Sequence, residues 1–188
     1  PAATHAAVLC DLRNTGRLDL LVVADAGLFR LPARPAPEFF GPAELLWSPP
    51  HEGPVEGVRV IKHAQVLSAA DMDRDGDLDL FIGQYKVPYQ KGQFPTPYHD
   101  ANDGFPNYLL RNDGTNGFTD MTDQAGLGST RNRRIYSASF APLFGGDAPS
   151  LMMISDFAGV DLYRNLGHGQ FSQASTLLGE ARHLFGMA

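Results

Sequence analysis

The chain has 188 residues, 43% of them hydrophobic, with a mean hydropathy of −0.19, which suits one ordinary globular domain with a real core. A net charge of −6 and a pI near 5.4 argue against nucleic acid as a partner. No apolar run approaches the roughly 20 residues that cross a bilayer, and Cys10, the single cysteine, cannot form an internal disulfide.

The start, Pro1-Ala2-Ala3-Thr4-His5, carries neither a signal peptide nor an initiator Met, so a processed or partial product is expected. His5-Ala6-Ala7-Val8-Leu9 reads as a first strand. It runs into Asp11-Leu12-Arg13-Asn14-Thr15-Gly16-Arg17-Leu18-Asp19, with acids at places 1 and 9 and glycine at place 6. Arg13 and Thr15 stand where further acids would be needed to hold a cation. A guanidinium at place 3 could take the ion's seat between Asp11 and Asp19, so this loop is expected to be empty. Trp47, in Leu45-Leu46-Trp47, is expected in the core rather than as a sugar platform.

The pattern then repeats. His63-Ala64-Gln65-Val66-Leu67 echoes the first strand, and Asp71-Met72-Asp73-Arg74-Asp75-Gly76-Asp77-Leu78-Asp79 echoes the loop, 60 residues on. Here five carboxylates fall in nine residues, and such crowding is repulsive unless a cation sits among them. The spacing D-x-D-x-D-G-x-x-D suits Ca2+, a hard ion that takes six to eight oxygens. Asp71, Asp73 and Asp75 are expected to point inward, Asp77 to offer its carbonyl, and Asp79 to close the shell directly or through water. An EF-hand would need Glu at place 12 on a leaving helix. Place 12 is Ile82, inside Leu80-Phe81-Ile82-Gly83, so the chain leaves as a buried strand.

The segment Gln84 to Pro106 departs from the repeat. It gathers Tyr85, Tyr89, Phe94, Tyr98 and His99 among prolines, either as a stiff contact surface or as cover for a sheet edge. Asp100-Ala101-Asn102-Asp103-Gly104 could add oxygen ligands for a second ion. Beyond it, Tyr108-Leu109-Leu110-Arg111-Asn112-Asp113-Gly114 leads to Gly117-Phe118-Thr119-Asp120, read as a hairpin with Asn and Gly supplying positive φ. Arg131, Arg133 and Arg134 form a small basic cluster, for an acidic partner or simply solvated.

A worn third copy follows. Ile135 to Phe140 enters, Phe144-Gly145-Gly146-Asp147 stands in for the loop without its acids, and Leu151 to Ile154 leaves. Leu162-Tyr163-Arg164-Asn165-Leu166-Gly167 and Gly169-Gln170-Phe171-Ser172 repeat the hairpin. The last residues, 183–188, read as the start of a fourth unit. The expected architecture is all-β: about three four-stranded blades of a β-propeller, over 5–50, 63–123 (with 84–106 inserted) and 135–175. Three blades alone leave sheet faces open, so part of a larger, about seven-bladed ring, or completion by a partner, is expected.

The loop Asp71–Asp79 with Leu80-Phe81-Ile82-Gly83, and Asn107-Tyr108-Leu109-Leu110-Arg111-Asn112 leading to Gly117-Phe118-Thr119-Asp120-Met121-Thr122-Asp123-Gln124-Ala125-Gly126-Leu127, resemble the FG-GAP or VCBS repeats of integrin α-type propellers. Within that group they are most similar to proteins of the cartilage acidic protein (ASPIC/UnbV) kind. The resemblance implies a calcium-stiffened, secreted or periplasmic propeller used for binding rather than catalysis. A protein–protein interaction or accessory-subunit role leads, and a carbohydrate-binding propeller is the alternative.

Catalytic signatures are weak. The six histidines offer no metal-ligand spacing and no H-E-x-x-H; His5 and His63 sit at matching repeat places, which favours a structural role. Ser137 and Ser139 lie in no nucleophile elbow. A propeller-based lyase or phosphodiesterase would have only Tyr98, His99 and Arg134 to draw on.

Overall fold

A computed structural model describes residues 4–50, 61–89 and 92–183. The expected start of a fourth unit falls almost wholly outside these residues. Among the described residues, twelve strands form three separate four-stranded antiparallel sheets set side by side like blades. The first holds β1 (Thr4–Cys10), β2 (Asp19–Ala24), β3 (Gly27–Leu31) and β4 (Glu44–Trp47). The second holds β5 (Ala64–Ala70), β6 (Asp79–Gln84), β7 (Tyr108–Asn112) and β8 (Phe118–Asp120). The third holds β9 (Arg134–Ala141), β10 (Ser150–Asp156), β11 (Gly159–Gly167) and β12 (Gln170–Gln173). Each sheet is a meander, in sequence order across the blade, and β5 packs between β1 and β9.

Burial follows from side chains alternating across a strand. Leu80 and Ile82 of β6 point into the core shared with Leu21, Val23 and Leu28 of the first sheet. Phe81 points the other way, into the core shared with Leu151, Met153 and Tyr163 of the third. The central sheet is thus covered on both faces, and β6 is buried throughout. Gly83 is required by this packing, since a Cβ there would lie 2.8 Å from Ile135 Cγ2. Trp47 is half-buried against the first core and meets the Tyr108 ring edge-on at 4.9 Å.

Register corrects the sequence alignment of the innermost strands. Cys10 faces Asp19, Ala70 faces Asp79, and Ala141 faces Ser150. Counting back from these pairs, His5 is equivalent to Gln65 and Tyr136, not to His63. The apparent echo was slipped by two residues, a slip that side-chain alternation hides because it leaves inward and outward positions unchanged. At all three equivalent places the ladder slips register, as a bulge does to re-aim a side chain.

The hairpin reading also needs correction. Positive φ at the β7–β8 and β11–β12 turns belongs to Gly114, Gly117, Gly167, His168 and Gly169, whereas Asn112 and Asn165 lie in their strands. Their side chains work between blades. Asn112 Nδ2 donates to the carbonyls of Leu12 and Leu78, and Asn165 Nδ2 to those of Met72 and Pro149. Leu12 and Met72 are place 2 of the two Asp loops. Each loop is therefore fastened to the following blade.

Candidate metal centre

The two Asp loops share one backbone. Asn14 and Arg74 at place 4, and Gly16 and Gly76 at place 6, all have positive φ. Asp71 Oδ1 accepts from the backbone N–H of Arg74 (2.7 Å) and Asp75 (3.2 Å), and Oδ2 from Gly76 (3.1 Å). Asp11 does the same for Thr15 and Gly16. The acid at place 1 and the glycine at place 6 thus build the turn without an ion. What distinguishes the loops is the charge left over.

In the first sheet Asp19 is 5% exposed and meets Arg30 Nε at 2.6 Å and the Ala33 N–H at 2.8 Å. Arg13 is exposed and takes no part in that pair. The expectation that Arg13 occupies the ion's seat is corrected: Arg30, on β3 opposite Leu21, lies on the same sheet face as Asp19 and reaches it first. By register, Leu109 stands in Arg30's place in the second sheet and Leu162 in the third. The acid's own place becomes Ser150 in the third sheet, where a neutral hydroxyl needs no counter-ion.

Only the second sheet keeps the acid without the guanidinium. Asp79 is fully buried, its oxygens accepting the N–H groups of Met72 and Asn112, each at 2.8 Å. Arg111 lies close enough to feel its field, but its Nε is bound to Asp113 at 2.7 Å. Burial pushes the Asp79 carboxyl up to about 7, with the two N–H groups pulling down and Asp73 and Asp75 pushing further up. Burial and the fields of Asp75 and Asp71 raise Asp73 as well.

Oxygens of Asp71, Asp73 and Asp79 lie within 4.8 Å of one another. Asp73 Oδ1 is buried without any hydrogen-bond partner. That orphaned oxygen, beside a buried acid lacking a counter-charge, fits a bound cation. Asp75 and Asp77 stand outside the cluster, with Asp75 Oδ1 accepting the Asp77 N–H at 2.9 Å. A cleft of about 320 Å³ between this loop and Asn165–His168 of the third blade opens onto Asp73.

The Asp79 shift fixes a pH dependence. Its folded pKa of about 7 lies above the ordinary carboxylate value near 3.9. Its contribution to stability is therefore whole below about pH 4 and is lost as pH rises through about 7. A cation must displace that proton, so the rise in melting temperature caused by calcium should grow between pH 5 and pH 8. Melts at fixed calcium across that range check this; a constant rise counts against a cation seated on Asp79.

The inserted segment lies at the opposite ends of the strands. It crosses to the third blade and is fastened by the arginines read from sequence as a basic cluster. Arg133 Nε meets Asp161 at 2.9 Å, and its Nη2 meets Asp100 at 2.6 Å. Arg134 grips Asp103 through Nε at 2.9 Å and Nη2 at 2.8 Å. Arg131 pairs with Asp120 and Asp123. The Arg133 and Arg134 guanidinium groups are buried internal ties, and Arg131 is a partly exposed one. Asp100 and Asp103 are counter-ions to Arg133 and Arg134, and Arg134 is 2% exposed, held by Asp103.

Held in this way, the strap presents Tyr89 (48% exposed), Phe94 (66%) and Tyr98 (49%). Tyr89 meets Phe94 and Phe157 edge-on, and Tyr98 packs at 5.4 Å from Phe157. Nearby, Tyr85 and Tyr136 stack at 4.9 Å and the Tyr85 hydroxyl donates to Asp156 at 3.0 Å. Sequence reasoning found the strap's aromatics but not the ties that hold them.

No protein-family model matches the chain, and no curated protein sequence matches it. Among solved structures, a lectin from Agrocybe aegerita, described as recognising non-reducing terminal N-acetylglucosamine, aligns with 90% of this chain at 18% identity and a TM-score of 0.32. The chain covers 51% of that lectin's length. A likeness this loose transfers neither fold detail nor ligand.

Proposed function

We propose that this chain is a non-enzymatic, calcium-stiffened propeller segment serving outside the cytosol as a protein–protein interaction or accessory-subunit module. The observation that carries the calcium reading is the buried, uncompensated Asp79 beside the orphaned Asp73 Oδ1 and Asp71. Calcium suits an all-oxygen donor set, and such sites fill where calcium is plentiful, beyond the cytosol. The sequence likeness to FG-GAP and VCBS repeats supports the same view. Because the loop is fastened to the third blade through Asn165, the ion's role is structural.

The working surface in this reading is the strap. Large aromatic side chains left exposed on a rigidly tied segment favour contact with another molecule. A second reading, carbohydrate binding, is favoured by Tyr136, 46% exposed and stacked on the buried Tyr85, which offers an aromatic ring with its hydroxyl. A glycan array and affinity capture separate them. The module predicts capture of one defined protein that Phe94→Ser abolishes, with no reproducible sugar signal. Sugar-specific binding that Tyr136→Ala abolishes, without protein capture, would establish the lectin instead.

A further inference from the structure

The aromatic residues at the strap end of the blades gather around one buried acid. Asp156, the last residue of β10, is 4% exposed and accepts the Tyr85 hydroxyl at 3.0 Å. Tyr85 has a single phenolic proton to give, so Tyr136, 3.2 Å away, donates to the Tyr85 oxygen. A chain of hydrogen bonds thus runs inward from the half-exposed Tyr136 to the carboxylate. The next residue, Phe157, links this group to the strap, meeting Tyr89 at 6.2 Å and Tyr98 at 5.4 Å.

Asp156 differs from the acids near it in its partners. Arg133 and Arg182 pair with Asp100 and Asp161, and Arg134 and Lys86 with Asp103. Among the described residues no basic side chain pairs with Asp156, and its charge is felt by phenols instead. Burial, and then the field of Asp156, hold Tyr136 above the usual tyrosine value. Tyr89 is held up by its bond to Tyr98, by desolvation and by the same field. An aromatic ring face attracts a cation, and a phenol that donates along a bond chain toward an anion is polarised to attract it more.

We propose that the strap end of the blades receives a lysine or arginine side chain of a partner protein, seated on the exposed rings of Tyr136, Tyr89 and Tyr98, with Asp156 as the charge behind them. The inference rests on the reading of the chain as an interaction module and names the chemistry that its partner carries. A net charge of −6 suits a basic partner. The carboxylate works at depth, through the phenols, so the cation need not displace any tie of the strap.

Calorimetric titration of tetra-arginine into the intact chain at physiological salt tests it, with tetra-glutamate as the control. Tetra-arginine should bind and tetra-glutamate should not. Tyr136→Leu leaves the net charge unaltered, so a general attraction between a basic peptide and an acidic chain survives it, whereas a seat on the ring does not. That variant should bind tetra-arginine roughly tenfold more weakly, while Tyr136→Phe, which keeps the ring, should stay close to the parent. Tyr89→Leu, on a separate segment, should also weaken binding, and it gives an answer even if loss of the Tyr85 stack unfolds Tyr136→Leu. No binding by the parent, or undiminished binding by the Leu variants, would overturn the inference. So would a loss in Tyr136→Phe as large as in Tyr136→Leu, which marks a hydroxyl contact instead of a ring. A captured protein that Phe94→Ser releases and both Leu variants keep would overturn it too, while leaving the interaction module standing.

Discussion

Calcium is expected to raise the melting temperature of the parent chain and to leave that of Asp73→Ala unchanged. At a calcium concentration about a thousandfold above Kd, binding contributes about 4 kcal/mol, which for a chain of this size is a rise of roughly 10 °C. The variant separates a cation site from an acidic turn because the two make opposite demands on Asp73. Without calcium its carboxylate is a liability, crowded by Asp71 and Asp75 and with one oxygen buried and unpartnered. Removing it should therefore cost nothing in chelator, or stabilise slightly. With calcium present the same change removes a ligand, and the variant should melt well below the parent. Equal calcium-induced shifts in parent and variant would show that the ion sits elsewhere.

The second large effect lies at the other end of the blades. Arg133→Ala should destabilise the chain by about 3 to 5 kcal/mol, the usual cost of stripping one partner from a buried ion pair. Asp161 is fully buried and would keep only Arg182 Nη2 at 3.2 Å and Gln173 Nε2 at 3.3 Å. The strap would also lose the bonds from Arg133 to Asp100 and to the Asp100 and Ala101 carbonyls. Urea unfolding measures the loss. The double variant Arg133→Met/Asp161→Leu should recover most of it, since the penalty comes from an orphaned charge rather than from a missing attraction. The calcium response should be unchanged, because these ties do not touch the Asp loop. A loss below about 1 kcal/mol would place the pair in effective contact with water.

The Asp loop, the leaving strand and the threefold repeat were legible in the sequence because each is local and periodic. Gly76 and the acid at place 1 announce the turn, and Leu80-Phe81-Ile82 announces a strand buried on both faces. The rest depended on distances along the chain that no short pattern carries. Arg133 finds Asp161 and Asp100 roughly 30 residues away in opposite directions, so three arginines read as a surface cluster when they are ties. The His5–His63 echo misled because a two-residue slip preserves alternation, and only the pairing with Asp19 and Asp79 exposes it.

The comparison that decides the site was present in the sequence but needed register to be read. The three blades hold Asp19 with Arg30, Asp79 with Leu109, and Ser150 with Leu162 at matched places. The first blade carries its own cation, the third has dispensed with the charge, and the second has charge without cation. Counting acids would rank the loops in the same order but would not show that the first blade's buried acid is already paired. Its partner is Arg30, 11 residues beyond Asp19 and on the next strand.

The most direct test of this account is isothermal titration of calcium into chelator-treated chain. One ion per chain is predicted, with no heat from Asp73→Ala and full binding in a chain carrying Asp11→Ala. Two ions per chain would mean that the Arg30-paired loop also fills. No binding at all would contradict a cation at Asp71, Asp73 and Asp79.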